Sequence, residues 1–341
     1  MSDSKLRLGV IGLGAMGQHH ARLYSKMSEA QKEGNSSNLS SPIKREGSGD
    51  NETALVVKNQ APDVELVAVA DSDAARAREI GVKYDVLYYN DYHDLLGRVD
   101  AVSIAVPTTL HHKVAMDFLN AGVHCLVEKP IASTLEEAEE MIAAAEKNRV
   151  KLAVGHIERF NPAVIKLKEV IDRGTLGKLL IISTRRVGPY VPRIRDVGVI
   201  IDSATHDIGV VNYLLGKTPV SIHAKTGQLI HSKEDHALIL LDYGDTAASI
   251  EVNWFTPHKV RTLVASGSEG IAYLDYIEQT LSVHNSHNPK AELISQTPKI
   301  EPLKIELEDY IDSIIHNRPP AVGGIEAIEI LRIAVAATQN P

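Results

Sequence analysis

An apolar run, Leu6 to Ile11, ends in Gly12-Leu13-Gly14-Ala15-Met16-Gly17, and a helical pattern opens at Ala15. Few features restrict a chain's fold more. Glycines at this spacing ask for a strand that turns tightly into a helix. The first makes the turn, the second lets backbone approach a pyrophosphate, and the third lets the helix pack close on the strand. Alone the fingerprint is weak, but a second strand, Val64 to Ala70, ends in an acid, Asp71, suited to accept from the adenosine ribose hydroxyls. Gly17 and Asp71 are much farther apart than the usual roughly 20 residues. The excess lies in residues 31–60, rich in Gly, Ser and Asn, with only Leu39 and Ile43 as large apolar residues before Thr53. That segment reads as an insertion and a mobile surface loop, since it cannot bury enough to offset ordering. Its three glycosylation sequons read as compositional accidents.

Strand and helix continue to alternate. Strands are expected at Ala101 to Val106, His124 to Val127 and Lys151 to Val154. Helices are expected at Ala15 to Met27, Ala74 to Ile80, Lys113 to Ala121 and Thr134 to Asn148. Near-continuous apolar strands between helices predict a doubly wound parallel sheet, a Rossmann domain over residues 1–154. Beyond it the pattern changes. A helix over Pro162 to Asp172 precedes a strand at Leu179 to Arg186 and a helix at Ser203 to Leu215. Strands then follow at Val220 to Thr226, Ala237 to Tyr243, Ala247 to Val252, Thr262 to Ser266 and Ile271 to Asp275. This predicts a C-terminal α/β domain, residues 155–341, with a large open, mostly antiparallel sheet. Helices are expected at Ile305 to Asn317 and Ile325 to Ala337, the last returning to the N-terminal domain. Two domains suit 341 residues.

The candidate cofactor contacts are Gly12, Gly14, Ala15, Met16, Gly17 and Asp71, then Val106, Pro107, Thr108 and His111 after the next strand, and Glu128, Lys129 and Pro130. Asp71 is followed by Ser72 and Asp73 rather than arginine, so a 2′-phosphate would meet two carboxylates, and NAD is favoured over NADP. Lys129 arrives at the carboxyl end of a buried strand, where open α/β sheets bind ligands, and Pro130 stiffens the turn. Asp202 and His206 are four apart on a helix, off the apolar stripe of Ala204, Ile208, Val211 and Leu215. Alternatively Asp202 caps that helix. Lysine, histidine and carboxylate together are what oxidation of a secondary alcohol requires. A base titrating near neutrality takes the hydroxyl proton, and a cation steadies the oxygen left behind. His206 as base, Asp202 orienting it and Lys129 at the oxygen is one assignment; exchanging His206 and Lys129 is the other.

Arg185, Arg186, Arg193 and Arg195 fall in eleven residues without an acid, and Gly188, Pro189 and Pro192 make the segment a loop. Arginine forks suit phosphate oxygens, so Arg185, Tyr190, Arg193 and Arg195 are candidate substrate contacts, with Arg159 and Asn161 from the domain-joining segment. Structural ion pairs are the competing reading. The net charge of −8 argues against nucleic acid or acidic lipid as partner. One cysteine, Cys125, no signal-peptide h-region and no membrane-length apolar stretch fit a reducing cytoplasm. No metal framework such as H-E-x-x-H occurs, and no bound metal is expected.

These motifs together resemble the glucose–fructose oxidoreductase / inositol dehydrogenase / rhizopine catabolism (Gfo/Idh/MocA) family over nearly the whole chain except the polar insertion. Glu128-Lys129-Pro130 matches its Glu-Lys-Pro motif, and Asp202 and His206 match its Asp-x-x-x-His. The domain-joining segment and the stretch from Arg185 to Asp207 are most similar to the branch acting on the 3-hydroxyl of UDP-N-acetylglucosamine or its uronic acid. The resemblance implies an NAD-dependent oxidoreductase with a nucleotide-sugar substrate, assembled as a homodimer or homotetramer through its open sheet. A free polyol such as myo-inositol is the alternative substrate, and a non-catalytic NAD-binding regulatory or scaffold protein is the alternative class. The chain departs from the family in its insertion and in stopping soon after its last helix.

Overall fold

The computed structural model describes residues 5–32, 63–190, 197–285, 288–295 and 299–339. Most of the predicted insertion therefore lies outside the described residues. The chain divides into two units, residues 1–155 with 306–324, and residues 156–305 with 325–341.

The first unit runs β1 (Leu6–Ile11), α1 (Ala15–Lys32), β2 (Val64–Ala70), α2 (Ala74–Tyr84), β3 (Leu87–Tyr89), β4 (Ala101–Ile104), α3 (His111–Asn120), β5 (His124–Glu128), α4 (Leu135–Asn148) and β6 (Leu152–Gly155). Its sheet has the order β3-β2-β1-β4-β5-β6 with every pairing parallel. Strands buried on both faces explain the unbroken apolar runs. Val10, Ile104, Cys125, Leu126 and Val127 are all fully buried. Local chemistry starts the helices. The Asp73 side chain accepts from the N–H groups of Ala75 and Arg76, and Thr134 accepts from Glu137 N–H while the Glu137 carboxylate accepts from Ser133 N–H at 3.0 Å, one residue before the cap. The order reverses between β1 and β4, the topological switch point where such sheets open a crevice at their carboxyl ends.

The second unit contains α5 (Pro162–Asp172), β7 (Leu179–Pro189), α6 (Thr205–Leu215), β8 (Ser221–Gly227), β9 (His236–Asp242), β10 (Ala247–Asn253), β11 (Phe255–Gly267), β12 (Gly270–Asp275), β13 (Thr280–Asn285) and β14 (Asn288–Ser295). The order is β14-β13-β12-β11-β7-β10-β9-β8, antiparallel except where β7 meets β10. Ile182, Ile239, Ile250 and Leu263 form one sheet face and pack with Val164, Leu167, Ile208 and Val211 of α5 and α6. Their strand neighbours Ile181, Leu238 and Leu240 are exposed, as period-two alternation requires.

Two expectations need correction. The segment belonging to the first unit is not the last helix but α7 (Pro302–Ile315) from Glu306 onward. The last helix, α8 (Gly324–Gln339), places Ile330, Ile333, Ala334 and Ala337 in the second unit's core. The predicted arginine loop also begins as strand. β7 continues through Gly188 to Pro189, because Arg185, Arg186 and Val187 pair with β10 on one side and β11 on the other.

Candidate active site

The cofactor end of the first unit follows from three glycines. Gly12 has φ +80, and a Cβ on it would lie 2.7 Å from the Ala105 carbonyl, so the turn after β1 passes directly over the turn after β4. A Cβ on Gly17 would meet Gly12 O at 1.7 Å, so this glycine lets α1 touch the turn it leaves. A Cβ on Gly14 would meet nothing within 4 Å. That open ground, with Gly14 and Ala15 exposed at the start of an 18-residue helix, fits the pyrophosphate of NAD. Asp71, buried at the end of β2, accepts from Leu13 N–H at 2.6 Å and from Asp73 N–H at 2.8 Å. It thereby holds the glycine turn from the end of β2. An arginine does stand nearby. Arg76 lies 3.4 Å from Asp71 and 3.3 Å from Asp73, so its charge is matched by both carboxylates.

Val106, Pro107 and Thr108 follow β4 beside this turn, and Glu128-Lys129-Pro130 ends β5 with a cis Lys129–Pro130 bond. Gly12, Asp71, Val106 and Lys129 thus share the carboxyl-end side of one parallel sheet. His111 was expected to touch the cofactor. Instead its ring is buried, with Nδ1 2.8 Å from Pro130 O and Nε2 3.0 Å from Val106 O. The ring is enclosed between the two cofactor-side turns, and as a neutral imidazole it donates to only one of these two carbonyls. Burial holds its pKa below the usual histidine value. Glu128 likewise points into the protein, with Oε1 2.9 Å from His20 Nε2 on α1.

In the second unit, Asp202 lies in a π-helical turn, Ile200–Ala204, that runs directly into α6. Its own N–H already bonds to Gly198 O at 3.0 Å, so Asp202 is inside the helical segment and is not a cap. Its carboxylate accepts from the Ser203 hydroxyl at 2.9 Å. Asp202, Ser203 and His206 are partly exposed, whereas Ala204, Thr205, Asp207 and Ile208 are buried. Asp202 and His206 therefore share the open side of an otherwise enclosed helix. Asp207 anchors that helix to the sheet. Arg186 Nε–H donates to Asp207 at 2.7 Å, a second guanidinium N–H reaches the other oxygen at 3.3 Å, and Nη1 donates to Glu158 at 2.9 Å. The paired carboxylates raise the Arg186 pKa against the effect of burial, so it stays cationic.

The remaining substrate candidates scatter. Arg185 points to the exposed sheet face, opposite Arg186, and pairs with Glu251 at 2.9 Å. Since α6 binds the Arg186 face, Arg185 is not beside His206, and the ion-pair reading holds for both arginines. Asn161 is a structural cap. It accepts from Ala163 N–H and donates to Glu158 and to Tyr276 O. Arg159 lies over the Tyr213 ring, and Tyr190 packs on His231 and Trp254. Arg193 and Arg195 lie outside the described residues. Arg261 was missed. It sits opposite Arg186 in the β7–β11 register, is half-exposed, lies 3.7 Å from Glu158, and feels the charge of Asp202. Among the described residues no group of three or more His, Cys, Asp or Glu could hold a metal ion, and no helix is long and apolar enough to cross a membrane.

Residues 6–156 match the GFO/IDH/MocA oxidoreductase family profile, NAD-binding Rossmann fold, and residues 164–273 match the GFO/IDH/MocA C-terminal domain. UDP-N-acetylglucosamine 3-dehydrogenase of Acidithiobacillus ferrooxidans is 27% identical over 338 residues, covering 97% of this chain and 95% of that protein. Its solved structure superposes with a TM-score of 0.81 over 99% of this chain and 98% of that one. The scyllo-inositol 2-dehydrogenase (NAD(+)) of Bacillus subtilis is 26% identical over 361 residues, covering 99% of this chain and 94% of that protein. An oxidoreductase from Agrobacterium radiobacter solved with NAD+, L-tartaric acid and magnesium shares the fold at 17% identity, with a TM-score of 0.79 and 99% and 96% coverage.

Proposed function

The chain belongs to the GFO/IDH/MocA family of NAD-binding oxidoreductases, and from that premise we propose that it oxidises the 3-hydroxyl of a UDP-sugar, UDP-N-acetylglucosamine or its uronic acid, to the 3-keto sugar. The observation that carries this reading is that the likeness to the Acidithiobacillus enzyme runs through both units and not only through the cofactor-binding one.

NAD, when bound, supplies the hydride acceptor. The backbone of Gly12 to Gly17 and the N-terminus of α1 would hold its pyrophosphate, and Asp71 would hold the adenosine ribose. His206 takes the proton of the sugar hydroxyl, Asp202 orients the ring, and Lys129 steadies the oxygen as it loses the proton. Exchange of the roles of His206 and Lys129 would use the same residues. The protein is expected to work as a homodimer or homotetramer.

A second reading, oxidation of a free polyol such as an inositol, is favoured by the equally long inositol-dehydrogenase match and by the engagement of Arg185 and Arg186 in ion pairs. Incubation with NAD and a panel of nucleotide sugars and polyols, followed by NADH absorbance and product mass, decides between them. NADH with UDP-N-acetylglucosamine or its uronic acid, and a product lighter by two hydrogens, is the expected result. NADH with inositols alone replaces the first reading by the second.

A further inference from the structure

Asp202 and His206 lie on either side of an irregularity in their own helix. The turn Ile200–Ala204 is π-helical, and α6 begins at Thr205. At the junction the Thr205 N–H donates to Ile200 O, five residues back, with Ser203 O also in reach. In an α-helix that N–H would bond to Ile201 O, four residues back. The Thr205 hydroxyl takes its place, donating to Ile201 O at 2.9 Å. Thr205 is 1% exposed, so this donor is closed off from water. Threonine hydroxyls often bond to a carbonyl four residues back. Here the carbonyl is the one that the same residue's amide has left. Both ends of the segment are pinned from outside it. At the start Glu234 accepts twice, through its backbone carbonyl from Val199 N–H at 2.9 Å and through its carboxylate from Ile200 N–H at 3.3 Å. The same carboxylate fills the place that a side chain on Gly198 would need. At the far end Asp207 is held by two N–H groups of the buried Arg186. The π turn fits one residue more than an α turn between these two holds.

We propose that Thr205 is a positioning residue, whose hydroxyl locks the π turn and so sets Asp202 against His206. Two registers compete for the carbonyls of Ile200 and Ile201. With the hydroxyl present, the π turn gives each of them a donor from Thr205. Without it, Thr205 can serve Ile201 O only by a return to the α register, in which its N–H moves from Ile200 O to Ile201 O. That change rotates the residues before the junction about the helix axis relative to those after it. Asp202 lies before the junction and His206 after it. Arg186 and Asp207 join two full charges through two contacts, whereas the carboxylate of Glu234 makes one contact of 3.3 Å, so the slip falls on the Asp202 side. The inference rests on the roles given to Asp202 and His206 in the proposed function, and adds what fixes their geometry.

The test uses the full-length protein with Thr205→Val, which keeps the shape and removes the hydroxyl, and Thr205→Ser, which keeps the hydroxyl. Crystal structures of the two variants give the first readout and need no substrate. Thr205→Val should place the N–H at position 205 on Ile201 O and displace Asp202, with Arg186 still on Asp207, while Thr205→Ser should keep the π turn. Single-turnover hydride transfer at saturating NAD, with whichever sugar or polyol yields NADH, gives the second. The rate should fall about tenfold in Thr205→Val, comparable to one lost hydrogen bond, and most of it should return in Thr205→Ser. The NAD dissociation constant should hold in both, since the glycine turn belongs to the other unit. A π turn retained in Thr205→Val overturns the locking role. A parental rate in Thr205→Val, or Thr205→Ser as slow as Thr205→Val, overturns the positioning role. If Thr205→Val fails to fold, Thr205→Ala, which removes the hydroxyl and needs less room, replaces it in both measurements. Failure of every sugar and polyol to give NADH would remove the proposed function while the crystal comparison still decides the turn, so the two fail separately.

Discussion

Arg186 bridges two buried carboxylates inside the second unit. It is 6% exposed, and its partners Asp207 and Glu158 are 1% and 10% exposed. Arg186→Met keeps a side chain of similar reach and removes the charge, so two buried carboxylates lose their cation. Breaking such a pair from one side costs about 3–5 kcal/mol. An independent ceiling agrees. A stranded Asp207 can always take up a proton, which at pH 7 costs about 1.4 kcal/mol for each unit above the ordinary aspartate value, or about 4 kcal/mol. Arg261, 3.7 Å from Glu158, shields the second carboxylate and keeps the total near that ceiling. The sign of the pH dependence follows. The stranded acid has a raised folded-state pKa, so its neutral form is tolerated at low pH and the loss grows as pH rises. The cost of Arg186→Met should therefore shrink from about 4 kcal/mol at pH 7 toward about 1.5 kcal/mol at pH 5. The chain's one tryptophan, Trp254, is buried in this unit's core, so its fluorescence during urea titration reports the right transition. Arg186→Met/Asp207→Leu removes charge from both sides and should cost less than about 2 kcal/mol at pH 7. A single-variant cost below about 1 kcal/mol, or a double variant as damaged as the single, would refute this account.

Three further outcomes are expected. Gly14→Ala should leave the melting temperature within about 2 °C yet weaken NAD binding about tenfold or more, whereas Gly17→Ala, whose Cβ meets Gly12 O, should lower the melting temperature itself; calorimetry and NAD titration separate the two. His206→Ala should slow single-turnover hydride transfer by about 10²–10⁴-fold with NAD affinity unchanged, and a normal rate would remove His206 from the chemistry. Because burial raises the folded-state pKa of Glu306, its contribution to stability is complete only below the ordinary glutamate range and is lost as pH rises, so Glu306→Gln should gain on the parent by about 1.4 kcal/mol per pH unit above pH 5 until Glu306 ionises in the folded state, as followed by circular dichroism in urea.

The first unit was nearly transparent in sequence because its strands are buried on both faces and therefore spell continuous apolar runs. β3 was not, since its three residues are partly or fully exposed at the sheet edge. In the second unit β13 and β14 escaped notice for a similar reason. β14 is the edge strand and β13 lies beside it, and together they carry Ser, His, Asn and Lys. The first half of β11, with Pro257, His258 and Lys259, pairs irregularly and reads as loop. The π turn before α6 left no periodic trace, because one displaced hydrogen bond does not change which residues are apolar.

The arginine cluster shows why composition within a window is a poor guide to a site. Four cations in eleven residues resemble one patch only if the segment is a loop. Once β7 runs to Pro189, period-two alternation sends Arg185 to the open face and Arg186 into the core. Adjacent residues are then separated by the thickness of the sheet, and each finds its own carboxylate. The reverse holds for His20 and Glu128, which stand 108 residues apart in sequence and meet at 2.9 Å. Parallel pairing brings β1 beside β4 and β4 beside β5, so a helix leaving β1 and a residue ending β5 converge on one side of the sheet. That convergence is a property of strand order, and this histidine and this acid become partners only after the order is fixed.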